Sequence, residues 1–303
     1  MRPDSSVPVP VDVPVAIPEI TVIVPTFDAE ATLGEQLDAL AGQTFTGPWE
    51  VIVVDNGSTD RSAEIARSYA GWLDLRVIGA AERRGAAHAR NAGVRAARTP
   101  KVAFVDADDV VAPDWLAAIV RALDEHDAVA SRFDAVALNS EEQRKRRSLA
   151  QDTGLGRHNY AEFLPHAGGS GLAVRTTVHE ALGGFNENMF RLQDTDYSWR
   201  LQLAGYDLHF EPSALLHVRF RSGEAASVRQ AFEYGRYNGH LYVRYRRHGM
   251  ARAPILHDLV YLGRQTLRLL GTRDRVRRAK RLSSIANRLG IVVGRLETAW
   301  RRS

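Results

Sequence analysis

Four short apolar runs, ITVIVPTF (20–27), EVIVVDNG (50–57), LDLRVIGA (73–80) and KVAFVDADD (101–109), alternate with stretches of helical spacing. This alternation restricts the fold more than any other feature of the chain. Runs that stay apolar on successive residues suit strands covered on both faces, as in a parallel sheet wrapped by helices. Between the first two runs, Leu33, Leu37 and Leu40 repeat at helical spacing. Ser58, Thr59 and Asp60 offer caps for a helix reaching about Ala70, and an alanine-rich stretch from about Arg84 to Arg98 predicts a third helix. The result is a βαβ series, whose ligand crevice lies at the carboxyl ends of the strands.

Polar residues collect at those ends. Asp28 and Glu30 follow the first run, Asp55 closes the second, and Asp106 and Asp108 close the fourth, with Asp109 beside them. So many carboxylates repel one another and resist burial, so they face water, cap a helix or hold a cation. Taken alone, Asp55-Asn56-Gly57-Ser58 reads as a turn and helix cap. The recurrence of the habit at several strand ends points to a site.

The chain has no cysteine, which excludes disulfides, thiolate metal sites and a cysteine nucleophile. Any metal must be held by oxygen or imidazole, which suits Mn²⁺ or Mg²⁺, and a cytoplasmic setting fits. The opening MRPDSSVPVPVDVPVAIP reads as a disordered leader. No run approaches the roughly 18 uncharged apolar residues of a membrane span. The net charge of +4 hides an asymmetry: residues 219–303 hold 20 Lys+Arg against 5 Asp+Glu, a net of +15, which leaves −11 for residues 1–218. An acidic body and a basic tail suggest separate tasks.

After about Asp127 the pattern loosens. DAVASRFDAVAL suits a strand, 139–159 reads as a mobile charged connection, and AGGSGLAVRTT as a glycine turn into a strand. LQDTDYSWRLQLAGYDLHF (192–210) predicts a helix that stops at Gly205 before another strand.

The order PTFDAEATL, VVDNGSTD, RRGAAHARNAG, FVDADD, GGF, QDTDYSWRLQLAGY and HVRF resembles family 2 glycosyltransferases over about residues 20–220. The resemblance implies an α/β GT-A fold, a Rossmann-like, mixed but mainly parallel sheet, here with a helical basic extension. It implies inverting transfer of a sugar from a nucleotide-diphosphate donor, with a lean toward UDP, to a glycan or lipid-linked acceptor, assisted by Mn²⁺ or Mg²⁺. Asp106 and Asp108 would contact metal and ribose, and His217 would return to the metal or diphosphate. Asp109 would be a substitute ligand or a helix cap. Thr26, Phe27, Glu30 and Asp55 would line the nucleoside pocket, Arg84 and Arg90 would help with base or phosphates, and Arg219 and Arg221 would meet the diphosphate. Asp194 would be the general base, and Asp196 a cap or acceptor-orienting group. Two departures from the family pattern stand out: Arg84 where asparagine is common before the glycine, and Gln193 where the acidic pair usually begins.

The corresponding division is a leader (1–18), a nucleotide-sugar half (19–125), an acceptor half (126–222) and a basic amphipathic tail (223–303). A nucleotidyltransferase shares the sheet type but needs a glycine-rich loop after the first strand, and PTFDAEATL has none. A silent nucleotide-binding scaffold is disfavoured by the joint presence of Asp106, Asp108 and Asp194. Nucleic-acid binding lacks a motif, and the acidic body would repel a polyanion. For the tail, two readings stand side by side, a structural helical appendage packed on the body and an anionic membrane surface as partner, with the enzyme peripheral on the inner face of the plasma membrane.

Overall fold

The computed structural model describes residues 18–146, 151–158, 160–220 and 224–300. The leader expected over 1–18 falls, apart from Pro18, outside the described residues. The four apolar runs form β1 (Ile20–Thr26), β2 (Trp49–Asp55), β3 (Leu75–Gly79) and β4 (Lys101–Phe104). They lie side by side in the order β3-β2-β1-β4, every pair parallel. Between them run α1 (Leu33–Ala41), α2 (Ser62–Ser68) and α3 (Ala86–Ala96). Alternate strand residues feed two separate cores. Val22, Val24, Val51 and Val53 pack with Leu33, Leu37 and Leu40 on one face, while Ile23, Ile52 and Val54 pack with Ala87, Ala89 and Val94 on the other. With both faces covered, both sets of side chains are mainly apolar, Thr21 being satisfied by Glu50 and Thr99, so the strands read as nearly unbroken apolar runs.

Beyond β4 the sheet becomes mixed. β7 (Leu172–Arg175) pairs antiparallel with β4 and with β6 (Ala128–Asp134), β8 (Leu208–His217) runs parallel to β6, and the two-residue β5 (Val110–Val111) closes the edge against β8. The remaining body helices are α4 (Trp115–Glu125), α5 (Glu141–Arg146), α6 (Thr176–Ala181) and α7 (Gln193–Leu203). The 139–159 segment, expected to be a mobile connection, carries α5 and a buried Gln151. That amide donates to Ser131 O at 2.7 Å and accepts from Gly168 N–H at 2.8 Å, stitching β6 to the glycine loop. Residues 147–150 and 159 lie outside the described ones.

His179 of α6 sits in the second core, buried among the rings of Phe104, Phe185 and Tyr197, with Nδ1 3.1 Å from the Tyr197 hydroxyl. Burial, reinforced by Arg200 and Arg95, pushes this histidine down from 6.5 to about 4. Between those values the unfolded chain binds a proton that the native chain does not, so stability falls as the pH drops through that window. The expected loss is about 2 kcal/mol by pH 5. Melting curves at pH 7 and pH 5 test this: the decrease in Tm should shrink in His179→Phe, and equal decreases would refute the assignment.

The tail is a three-helix appendage: α8 (Glu224–Tyr245), a single 3-10 turn (Arg246–His248), α9 (Ile255–Leu270) and α10 (Arg275–Trp300). α8 and α10 cross where Gly235 and Gly239 face Gly290 and Gly294. A methyl group at Gly235, Gly290 or Gly294 would overlap the backbone of the opposite helix, so only glycine permits this approach. α8 also covers the body, where Leu241, Tyr242, Tyr245 and Met250 form a third core with Trp199 of α7.

Candidate active site

β4 stops at Phe104, and one more bond, from Val105 N–H to Ile23 O at 3.1 Å, keeps the chain beside β1 before it leaves the sheet. Asp106 to Asp109 then form a turn in which Asp109 N–H donates to Asp106 O at 3.3 Å. The acidic residues that close the fourth run thus sit in a turn just past β4. This turn brings one oxygen each of Asp106, Asp108 and Asp109 within 4.8 Å of one another, and no other such group of acidic or imidazole ligands occurs among the described residues.

Several donors hold this cluster. Ser170 Oγ donates to Asp109 Oδ2 at 2.6 Å and accepts from Asp106 N–H at 3.0 Å. Arg219 N–H donates to Asp109 Oδ1 at 3.0 Å, and Arg90 Nη2 donates to Asp106 Oδ1 at 2.6 Å. Burial, and next the charge of Asp106, nevertheless push Asp109 up to about 7. Asp109 is not a helix cap, since α4 begins only at Trp115, and it belongs to the group that could hold a metal. Three carboxylates crowded into one turn, with all-oxygen donors and a mutual repulsion that a cation would relieve, fit a hard divalent ion such as Mg²⁺ or Mn²⁺.

A crevice of ≈ 550 Å³ opens beside the cluster. Its walls include Thr26 at the end of β1, Phe27 and Asp28 beyond it, Asn56 beyond β2, Ala86 and Ala89 of α3, the Asp106–Asp108 turn, and Arg219. Phe27 is exposed, and the Arg84 guanidinium lies 5.0 Å from its ring centroid. Asp28 adopts φ +45° and accepts Thr59 N–H at 2.7 Å, tying the first crevice loop to the second. Glu30 accepts Arg61 N–H at 3.2 Å, and Asp55 Oδ1 accepts Ser58 N–H at 2.8 Å, the turn role its segment predicts. Neither Glu30 nor Asp55 is among the crevice walls. Arg219 reaches Glu35 at 2.6 Å and Asp108 O at 3.0 Å; Arg221 lies outside the described residues.

Arg90 sits beneath the cluster, 2% exposed, with Nε and Nη1 buried and lacking a hydrogen-bond partner among the described residues. A Cβ at Gly169 would come within 2.8 Å of its guanidinium, so the loop passes over Arg90 because position 169 has no side chain. The same glycine donates its N–H to Asp194 Oδ2 at 3.1 Å, while Thr195 N–H donates to Asp194 Oδ1 at 2.8 Å. Consecutive residues of one loop, Gly169 and Ser170, therefore touch Asp194 and the acidic cluster.

His217 pairs in the sheet with Val110, directly after Asp109, and its Nδ1 lies 2.8 Å from Asp134 Oδ2 across the β6–β8 pair. Asp196 is fully buried, accepting Arg200 Nε at 2.8 Å and the Tyr245 hydroxyl at 2.7 Å, so it anchors α8 to the body rather than facing an acceptor. Sequence reasoning missed Asn56, whose amide donates to Arg83 O at 2.8 Å and accepts Gly85 N–H at 2.7 Å, fixing the loop ahead of α3. It also missed Glu187, which receives Asn91 Nδ2 at 2.9 Å and lies 2.9 Å from His88 Nδ1. A polar residue directly after a strand was the available signal for Asn56. For Glu187 there was none.

A family model described as Glycosyl transferase family 2 matches residues 21–183. The pre-mycofactocin glycosyltransferase of Mycobacterium tuberculosis is 29% identical over 205 residues, 65% of this chain and 42% of that protein. The chain spans under half the length of the curated relatives it matches first. Among solved structures, the mannosyltransferase PcManGT from Pyrobaculum calidifontis, in complex with GDP-Man and Mn²⁺, is similar with a TM-score of 0.62 at 22% identity, over 96% of this chain and 89% of that one. S. aureus TarS 1–349 in complex with UDP-GlcNAc is similar with a TM-score of 0.55 at 19% identity, over 94% and 91%.

Proposed function

The chain belongs to glycosyl transferase family 2 and carries the GT-A fold, and from that premise we propose that it performs an inverting transfer of sugar from a nucleotide-diphosphate sugar to an acceptor hydroxyl. One observation carries the reading: Gly169 and Ser170 set a carboxylate, Asp194, beside the crevice-edge cluster of Asp106, Asp108 and Asp109. Inverting transfer needs a base on the acceptor side and charge stabilisation on the leaving-group side, and the loop joins candidates for both.

In this reading the nucleoside enters the ≈ 550 Å³ crevice between Phe27, Asp28 and Asn56. Asp108 and Asp106 would hold Mn²⁺ or Mg²⁺, with Asp109 behind them; such an ion supplies charge stabilisation to the leaving diphosphate. Arg219 at the crevice wall suits diphosphate oxygens, and Arg90 holds Asp106 from beneath. Asp194 would take the proton of the attacking hydroxyl. His217, paired in the sheet with Val110 next to Asp109, would complete the ligand set through Nε2, with Asp134 on Nδ1 orienting the ring.

The two structural neighbours are complexes with UDP-GlcNAc and with GDP-Man and Mn²⁺, which supports a nucleotide-sugar donor. We place UDP-sugars first and a lipid-linked or cell-envelope glycan as acceptor, in the cytoplasm. A thermal-shift screen of UDP- and GDP-sugars with and without Mn²⁺ tests the donor side. At least one nucleotide sugar should raise Tm by several degrees, and more so with metal. No shift with any of them, at millimolar concentration and with metal, would overturn the donor assignment.

A further inference from the structure

We propose that α9 and the basic segment that follows it form a docking surface for an anionic lipid bilayer, with the apolar face of α9 lying in the interface. Helical geometry and a buried latch make the case. Residues of an α-helix advance about 100° each, so Leu256, Leu259, Val260, Leu267 and Leu270 share one side of α9, while Asp258 and Leu262 lie on the other. In a helix that belongs only to a protein core, the apolar side turns inward. Here Leu256 is 65% exposed, Leu267 71% and Leu270 81%, and the residue turned inward is an aspartate.

That aspartate fixes the orientation. Asp258, 1% exposed, accepts Arg288 Nη1 at 2.7 Å and Arg295 Nη1 at 2.9 Å from α10, and the Tyr160 hydroxyl of the body at 2.8 Å. Rotating α9 to bury its leucines would strip a buried carboxylate of both its cations, so the outward apolar face is built in.

Charge selects the occupant. Residues 251–282 hold nine Lys+Arg against two Asp+Glu, and one of those two is the latched Asp258. Arg264 and Arg268 flank the apolar stripe, and Arg273, Arg275, Arg277, Arg278 and Lys280 follow at the turn into α10, all exposed. A second copy of this chain would bring the same positive charge against itself. A surface of negative headgroups over hydrocarbon meets both demands, and no helix among the described residues is long and apolar enough to cross a membrane, so the mode is one of lying on the surface.

Truncation ahead of α8 would remove the cover of Trp199 and the anchor of Asp196, so the test uses point substitutions on the exposed side. The full chain and a Leu259→Glu, Leu267→Glu, Leu270→Glu variant are sedimented with vesicles of phosphatidylglycerol and phosphatidylcholine, and with phosphatidylcholine alone, at low and high salt. The wild type should pellet with the anionic vesicles at low salt and be released by salt, and the variant, with unchanged Tm, should bind about tenfold less or weaker. Equal binding by variant and wild type overturns the proposal, as does binding indifferent to anionic lipid. A wild-type dimer in lipid-free solution that the variant converts to monomer would assign the face to a second copy instead. Vesicle binding requires no donor, so these outcomes stand apart from success or failure of the transferase reading.

Discussion

An Asp108→Ala variant is expected to lose metal-dependent donor binding and to turn over at least about 10²-fold more slowly, while remaining folded. Asp108 is the cluster member whose removal separates chemistry from stability. Asp108 is on the crevice wall, and the bond that Arg219 Nε donates to its carbonyl oxygen at 3.0 Å survives in alanine. Asp109 would be the wrong choice, because its two oxygens receive Ser170 Oγ and Arg219 N–H in the interior, and an alanine there would leave those donors unpaired. Deleting one of three mutually repelling carboxylates also relieves strain in the metal-free protein, so Tm without metal should hold or rise. With Mn²⁺ and nucleotide the wild type should be stabilised and the variant should not. Unchanged turnover in the variant, or full wild-type activity in excess chelator, would remove the metal from the mechanism.

The parallel half of the sheet was legible because its cause is local. Strands buried on both faces are apolar at most of their interior positions, and Ile20–Thr26, Trp49–Asp55 and Lys101–Phe104 announce themselves largely by that. The crevice position followed from topology, since parallel strands bring Thr26, Asn56 and Asp106 to one edge whatever the loops do. What the sequence concealed depends on contacts distant along the chain. Ser170 meets Asp109 across 61 residues, and Arg90 meets Gly169 only because β7 runs antiparallel to β4, a pairing that no short pattern encodes. The same holds for the acidic residues after Leu192. Asp194 and Asp196 are two apart at the start of α7, so one faces Gly169 and the other turns inward to Tyr245 of α8. From the sequence they are equivalent helix-start aspartates, and only the tail, packed by its glycine crossing, tells them apart. The partner of His217 was hidden for a similar reason: Asp134, which meets its Nδ1, is its neighbour only through the pairing of β6 with β8.

That difference between Asp194 and Asp196 sets the sharper test of mechanism. Asp194→Asn keeps the shape of the side chain and an acceptor oxygen for one of Gly169 N–H and Thr195 N–H, but its amide cannot take a proton. Turnover should fall by roughly 10²- to 10⁴-fold with donor affinity nearly unchanged, since Asp194 is not among the crevice walls where the nucleotide is placed. Asp196→Asn should behave in the opposite way. The substitution weakens the charged pair with Arg200 at a fully buried site that also holds the Tyr245 hydroxyl, so it should lower Tm and loosen α8, with turnover per folded molecule little changed. Measuring Tm, donor affinity and saturated turnover on both variants separates a base from a strut. An Asp194→Asn enzyme that binds donor poorly yet turns over normally at saturation would mean that Asp194 only holds the Gly169 loop in place. The proton would then have to leave the acceptor hydroxyl by a route that uses neither aspartate.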